Sequence, residues 1–595
     1  MRALIAAGAC AVLPMCVFAQ TVVGPPNPQQ PSSPNYRTPT VPAQPDYRLP
    51  ALPQSPSEPA AAPGGGQMFV SRIEVRGVTV FKPAVIATIV GPYQNRVVND
   101  AELETVRVAL TRLYIDKGYI NSGVILPDQQ ATGGVVVFQA IEGKLTRVQV
   151  GGKTHLSPHY VTARIGAHVA DPLNVMDVQY ALRYLQQDPN VARLDARLGP
   201  GDGLGQAVAQ VNIEDQPRFS AAIGADNFQS SSIGAEQGRV SVGARDLTGY
   251  GDEFNGTVSH SRGNTLGSGV LSVPVSAHNA SAQAYYSRGD AVIIQQPFEA
   301  LNIKETVRTY GISLTEPIVD RIDNRFAFFL GAESDRAATE LLGTGFSFSP
   351  GAQNGVSAVA AIFGGLDWLI RGSTSVTDLR LTYRHGIDAL GATIKKRGSN
   401  DELFNPNPTG ADGRFGLEQL QFIYIERLNG FSVFSGLNDR AQLIVRASGQ
   451  LTQQPLLSLE KFSVGGVDTV RGFPQNLFVR DNGAAATLEL QMPVPGYRPE
   501  PRLLDLVVAP FVDYGRSWDK ANEDQANPLN NTTVARYMAG AGVGLLWNPV
   551  KGLDARIYWG RSIANNLKDH DPRPFLPHDA QFHGVYFAAN YIVRW

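Results

Sequence analysis

The 595-residue chain has two cysteines, Cys10 and Cys16, and both fall in its first 20 residues. Everything after them is without disulfides, thiolate metal sites or a thiol nucleophile. Charge is sparse too: Asp, Glu, Lys and Arg make up 17%, against roughly 25% in soluble domains. A net charge of −2 excludes nucleic acid as a main partner, because phosphate binding needs a strong basic excess. No run of 18 or more apolar residues marks a transmembrane helix. Catalytic signatures are missing as well. There is no Walker A sequence for a nucleotide and no GxSxG nucleophile elbow. "HLSPH" places His155 and His159 four apart. Pro158 intervenes and no Glu follows the first His, so both read as surface histidines rather than a zinc site. The expectation is no enzyme, no metal and no cofactor.

What is present starts with an export signal. "MRALIAAGACAVLPMCVFAQ" has a positive Arg2, a short apolar run and a small-residue site before Gln20, the pattern of a signal peptide over residues 1–19. Met15 is too large to precede a lipidated Cys16. Residues 20–66 read as a Pro-rich linker. Thirteen prolines lie between Pro25 and Pro63, and "PGGG" closes the run. Proline fixes φ and removes a donor, so an extended spacer is expected, reaching about 130 Å at ~3.1 Å per residue.

Residues 67–143 alternate between two periods. "FVSRIEVRGV" has the period of a strand, and "KPAVIATIV" that of a short helix. "NDAELETVRVALTRLYIDKGY" starts on Asn99 or Asp100 as cap and places Leu103, Val106, Leu110 and Leu113 at helical spacing. Gly118 ends it. "SGVILPD" and "GGVVVFQAIEG" read as a hairpin. The order β-α-α-β-β recurs over residues 144–216, where Val175, Val178, Leu182 and Leu185 share a helix face. Two copies of about 75 residues are an internal repeat.

From residue 217 to 595 the helical period is gone. "VTDLRLTYRH" sets Leu379, Leu381 and Tyr383 against Asp378, Arg380, Thr382 and Arg384. "VYFAANYIVRW" alternates Val585, Phe587, Ala589, Tyr591, Val593 and Trp595. Strands with one apolar and one polar face, and aromatics near their ends, predict a transmembrane β-barrel with lipid outside and water inside. At ~10 residues per strand this length suits about 16 antiparallel strands, with residues 334–358 and 395–416 as outer loops.

Within the barrel stands "FSVGGVDTVRGF", residues 462–473. With the repeated modules before it, the chain resembles the two-partner secretion transporters (TpsB), the exporters of haemolysin and filamentous haemagglutinin, which share a superfamily with the barrel-assembly insertase. The resemblance covers residue 67 onward and implies that the two modules are POTRA domains. It also implies that Val470, Arg471, Gly472 and Phe473 form the tip of a loop folded into the barrel. The arginine would meet an aspartate of the wall in "FVDYG", the motif residues being Phe511 and Asp513. A guanidinium fork matches a carboxylate. Screened by lumen water, the pair is expected to be worth ~1 kcal/mol or a few, weak enough to break in transport, and exchanging both charges should restore more function than either change alone. The family it resembles often carries an N-terminal helix that plugs the barrel, but here residues 20–66 hold too much proline for a helix of useful length.

The resemblance implies an outer-membrane protein of a Gram-negative bacterium with its modules in the periplasm. It would bind a large unfolded exoprotein and pass it outward without ATP. Outer-membrane lipid and the barrel-assembly machinery would be its other partners, and it would act as a monomer. An insertase of other barrels is the alternative. Two modules rather than a longer array favour secretion.

Overall fold

The computed structural model describes residues 66–348, 351–394, 410–428, 441–494, 505–520, 536–567 and 577–595. The signal peptide, both cysteines, the Pro-rich linker and the question of a plug helix lie outside the described residues.

The first module is built on a central strand, Val135–Ile141. It pairs in parallel with Arg72–Arg76 and antiparallel with Gly123–Ile125. Two helices cover it, α1 (Pro83–Val90) and α2 (Asp100–Asp116). Asn99 is the cap of α2. Its side chain accepts from the Glu102 amide while the Glu102 carboxylate accepts from the Asn99 amide, so two orphan donors are satisfied reciprocally. Leu103, Val106, Leu110 and Tyr114 of α2 are buried with Phe138. Tyr114, not Leu113, completes the buried face: 3.6 residues per turn puts i+4 from Leu110 inward. Gly118, at φ +90°, stops the helix where a side chain would collide with Asn174. One element differs from the sequence reading. "FVSRIEV" is two short strands, and the first, Gln67–Val70, pairs with Arg96–Asn99 just before α2.

The second module repeats the plan. Its central strand Gln206–Asp215 pairs in parallel with Lys144–Lys153 and antiparallel with Val191–Pro200. The helices α3 (Pro158–Gly166) and α4 (Val175–Gln186) pack over it, with Val175, Val178, Leu182 and Leu185 all buried. In both modules the last strand is central. His155 and His159 are exposed.

Only Glu142 and Gly143 separate the two sheets. Glu142 reaches back to accept from the Thr79 amide (2.7 Å), the Val80 amide (3.3 Å), the Tyr114 hydroxyl (2.9 Å) and the Thr79 hydroxyl. Burial alone would raise its pKa, but the bonds from Thr79, Tyr114 and Val80 hold it below the usual carboxylate value. Burial and the facing carboxylate push the Tyr114 hydroxyl up.

The remaining strands close into a 16-stranded antiparallel barrel, from Phe219–Asp226 to Val585–Arg594. Closure leaves no unpaired edge for lipid to meet. Side chains alternate as the sequence predicts: Leu381, Tyr383, Tyr591 and Val593 face outward, and Arg384 and Tyr586 are buried inside. Where the first and last strands meet, Phe219 stacks on Trp595 and their backbones exchange two hydrogen bonds. Short turns such as 321–323 and 372–374 join strands at one end, and the connection 453–481 lies at the other. The expected outer loop 334–358 is shorter than predicted. Asn324–Leu341 and Val356–Arg371 continue as paired strands, so the connection is 342–355. Polar residues inside the wall, such as Glu333 at the edge of the expected span and Asp335 within it, belong to the strand and face the lumen together, where both meet Arg384. Of the expected loop 395–416, residues 395–409 lie outside the described residues, and Gly416 already opens a strand.

Candidate functional site: a loop seated on the inner wall

Residues 453–481 connect the strands Gln442–Thr452 and Asn482–Pro493. They do not stand out from the barrel. Phe462–Val464 pairs with Phe478–Arg480 as a two-stranded ribbon, and Val464, Val470, Phe473 and Leu477 pack with Met538 and Leu567 in a small apolar cluster. The turn between the ribbon strands is held by local bonds. The Gly465 amide donates to the Thr469 hydroxyl, and the Gly466 amide to the Val470 carbonyl.

This turn aims Arg471 at the wall. Its Nε and Nη2 donate to the two oxygens of Asp513 at 2.8 and 2.9 Å, and its own amide donates to Asp513 at 2.9 Å. Phe511 lies one pleat away on the same strand, Asp505–Trp518, so residues 511, 513 and 515 face the lumen together. The Phe511 ring sits 3.4 Å from the guanidinium carbon and Tyr558 4.7 Å, a cation–π contact on a desolvated charge. The structure thus brings together Arg471, Asp513 and Phe511. Gly472 and Phe473 are tied to a different strand. The Gly472 amide donates to the Tyr586 hydroxyl at 3.1 Å, and that hydroxyl donates to the Phe473 carbonyl.

Two features of the site were absent from the sequence reading. The first is Glu489, whose Oε2 accepts from Arg471 Nη1 at 2.6 Å. It lies directly across from Phe511 in the adjacent strand. The signal for it is a carboxylate at an inward position of "ATLELQMP", between the outward Leu488 and Leu490. The second is a seat of glycines. Asp513 pairs with Gly540, and Gly542 with Gly560, across the next two strands. A Cβ at Gly540 would lie 1.9 Å from the Arg471 carbonyl oxygen, and one at Gly560 2.9 Å from the Gly472 amide. Gly472 itself has φ +95° and meets the Arg561 backbone. The loop backbone can approach only because these positions are bare.

The burial corrects the expected energetics. Arg471 is 3% exposed, Asp513 1% and Glu489 0%, so lumen water does not screen the pair. Removing one member would strand the others, at about 3–5 kcal/mol.

The family model for haemolysin secretion/activation protein ShlB/FhaC/HecB matches residues 205–546, more than half of the chain. The chain belongs to this family. A POTRA domain of the ShlB type matches residues 68–143. Among relatives, the outer membrane transporter CdiB of Dickeya dadantii is 23% identical over 416 residues, covering 68% of this chain and 69% of the relative. Among solved structures, CdiB from Escherichia coli superposes with a TM-score of 0.63 at 19% identity, over 90% of this chain and 92% of that one. BamA from Haemophilus ducreyi lacking POTRA domains 1–3 gives 0.52 at 13% identity, over 88% and 100%. At these identities the structural likenesses show the fold alone. As a ShlB/FhaC/HecB-type protein, the chain is an outer-membrane transporter of two-partner secretion, with its POTRA domain in the periplasm.

Proposed function

We propose that residues 144–216 form a second POTRA domain, and that both domains capture one large unfolded exoprotein and hand it to the barrel of residues 217–595. Extended segments add to sheet edges through backbone hydrogen bonds, which tolerates loose sequence. Outward folding then supplies direction without ATP or any catalytic step, because a refolded chain cannot return. In this reading residues 1–19 are the signal peptide and 20–66 the spacer. The transporter works as a monomer in outer-membrane lipid and is itself inserted by the barrel-assembly machinery.

The observation that carries the mechanism is the buried clamp of Arg471 by Asp513 and Glu489. A loop closed into a lumen by three charges in place is a latch. It holds the Val470–Phe473 tip on the wall at rest, and its release widens the path for the passing chain. The test compares the secreted and outer-membrane proteomes of strains with and without this protein. Loss of one large exoprotein from the medium, with membrane barrels unchanged, is the expected result and identifies the cargo. A broad loss of membrane barrels would instead establish an insertase.

A further inference from the structure

The same loop carries a second buried ion cluster at its other end. Glu460 stands at the entry to the loop's ribbon and is 7% exposed. Both of its oxygens accept from Arg384, from Nε at 2.8 Å and from Nη2 at 2.9 Å. Arg384 is on Ser375–Gly386, three strands before the one that carries Glu489 and four before the one that carries Asp513. Its Nη2 also meets Glu333 at 2.6 Å and Asp335 at 2.9 Å, both on Asn324–Leu341. Tyr285 donates to Glu333, and Thr309 donates to Asp335 at 2.5 Å. The Glu460 carbonyl accepts from Gln450 at 2.7 Å. Next to it, Lys461 bridges Asp481, at the far end of the loop, and Asp519 at 3.1 and 3.2 Å.

Wall residues alone do not require this arrangement. Glu333 and Asp335 already have hydroxyl donors, and Arg384 could neutralise them without reaching inward. Instead its bidentate face, the strongest geometry a guanidinium offers, is given to the loop's carboxylate. We infer that Arg384 and Glu460 form a second anchor, which holds the base of the loop to one sector of the wall while Arg471 holds its tip to another. Arg384 is a positioning residue acting through Glu460. Release of the loop then requires two separated ion clusters to open. This inference rests on the latch reading above.

The experiment uses the full chain, purified and reconstituted in phosphatidylcholine–phosphatidylglycerol vesicles. A spin label on Asp468→Cys, an exposed position beside the tip, reports tip motion, and planar-bilayer recording reports conductance. Barrel folding is checked by heat-modifiable migration. Glu460→Gln keeps the shape and removes the charge. It should raise the mobile label fraction and the frequency of high-conductance openings about tenfold. Arg384→Gln should mobilise the tip at least as much, since it also leaves Glu333 and Asp335 without their cation, and adding Glu460→Gln to it should mobilise the tip no further, because the Arg384–Glu460 contact is already gone. Arg471→Ala on the same background is the reference. A tip mobilised by Arg471→Ala but unaffected by Glu460→Gln would overturn the second anchor and leave the latch standing. Additive effects of Glu460→Gln and Arg384→Gln would overturn it too, making Arg384 a wall residue only. If Arg471→Ala changes neither readout, the latch reading fails and this inference fails with it.

Discussion

Glu142 and Arg471 do the same job in different media. Each is one charged side chain that ties distant segments together. Glu142 lies at the junction of the two modules and is partly exposed. Its partners are hydroxyls and amides, which water can replace. Arg471 is buried among two carboxylates and two rings, where nothing can replace it. A tie made of neutral donors at a wet surface loosens gradually. A tie made of opposite charges in a dry pocket is held or lost as a whole.

Arg471→Ala should therefore have the largest effect. It leaves Asp513 and Glu489 buried and unpaired, and is expected to destabilise the seated loop by about 3–5 kcal/mol. Secretion should fall sharply while barrel abundance in the membrane is unchanged, as read by immunoblots of medium and membrane fractions. Exchanging the charges, Arg471→Asp with Asp513→Arg, sharpens the comparison. Glu489 changes the outcome expected from sequence, since a carboxylate at position 471 would face it. The exchange should rescue poorly, and adding Glu489→Gln should restore more secretion. Equal rescue with and without that third change would deny Glu489 a part in the clamp. Gly540→Ala leaves every charge in place and only fills the seat. It should displace the tip, since the added Cβ meets the Arg471 backbone, and lower secretion by less than Arg471→Ala does, because the charges of the clamp are all kept.

The smallest effect belongs to the wet tie. Glu142→Gln should cost the two-module fragment, or the full chain, about 1 kcal/mol after allowing for solvent screening, read by urea unfolding. The sign of its pH dependence follows from its lowered pKa. Its contribution is complete above the unfolded value of about 4.3 and is lost as pH falls through the lower folded value. Stability of the modules should therefore drop below about pH 4, and the Gln variant should show a shallower drop.

Most of the fold was legible because it obeys local rules. Helix caps such as Asn99 and apolar spacing such as Val175, Val178, Leu182 and Leu185 depend on neighbours within a turn. The outward faces of strands such as Ser375–Gly386 follow from period 2. Half of the clamp was legible through the family motifs "VRGF" and "FVDYG". Glu489, Glu460 and the glycines at 540 and 560 were not. Their meaning lies in cross-strand register and in a loop that returns from elsewhere, and no short window of sequence contains either. Leu113 was read in place of Tyr114 for a smaller reason: the two are neighbours with largely apolar side chains, and only the helix phase separates them.

The glycine seat also fixes an order of events. Arg471 is synthesised before Asp513, Gly540 and Gly560, and the tip's last tether, Tyr586, is on Val585–Arg594, the strand that closes the barrel against Phe219–Asp226. The loop has no place to dock until the final third of the wall has formed. Seating the tip is thus a signal of completion. A barrel that has not closed its last strands cannot hold its own latch, and an unfinished transporter is distinguished from a finished one by the position of a single arginine.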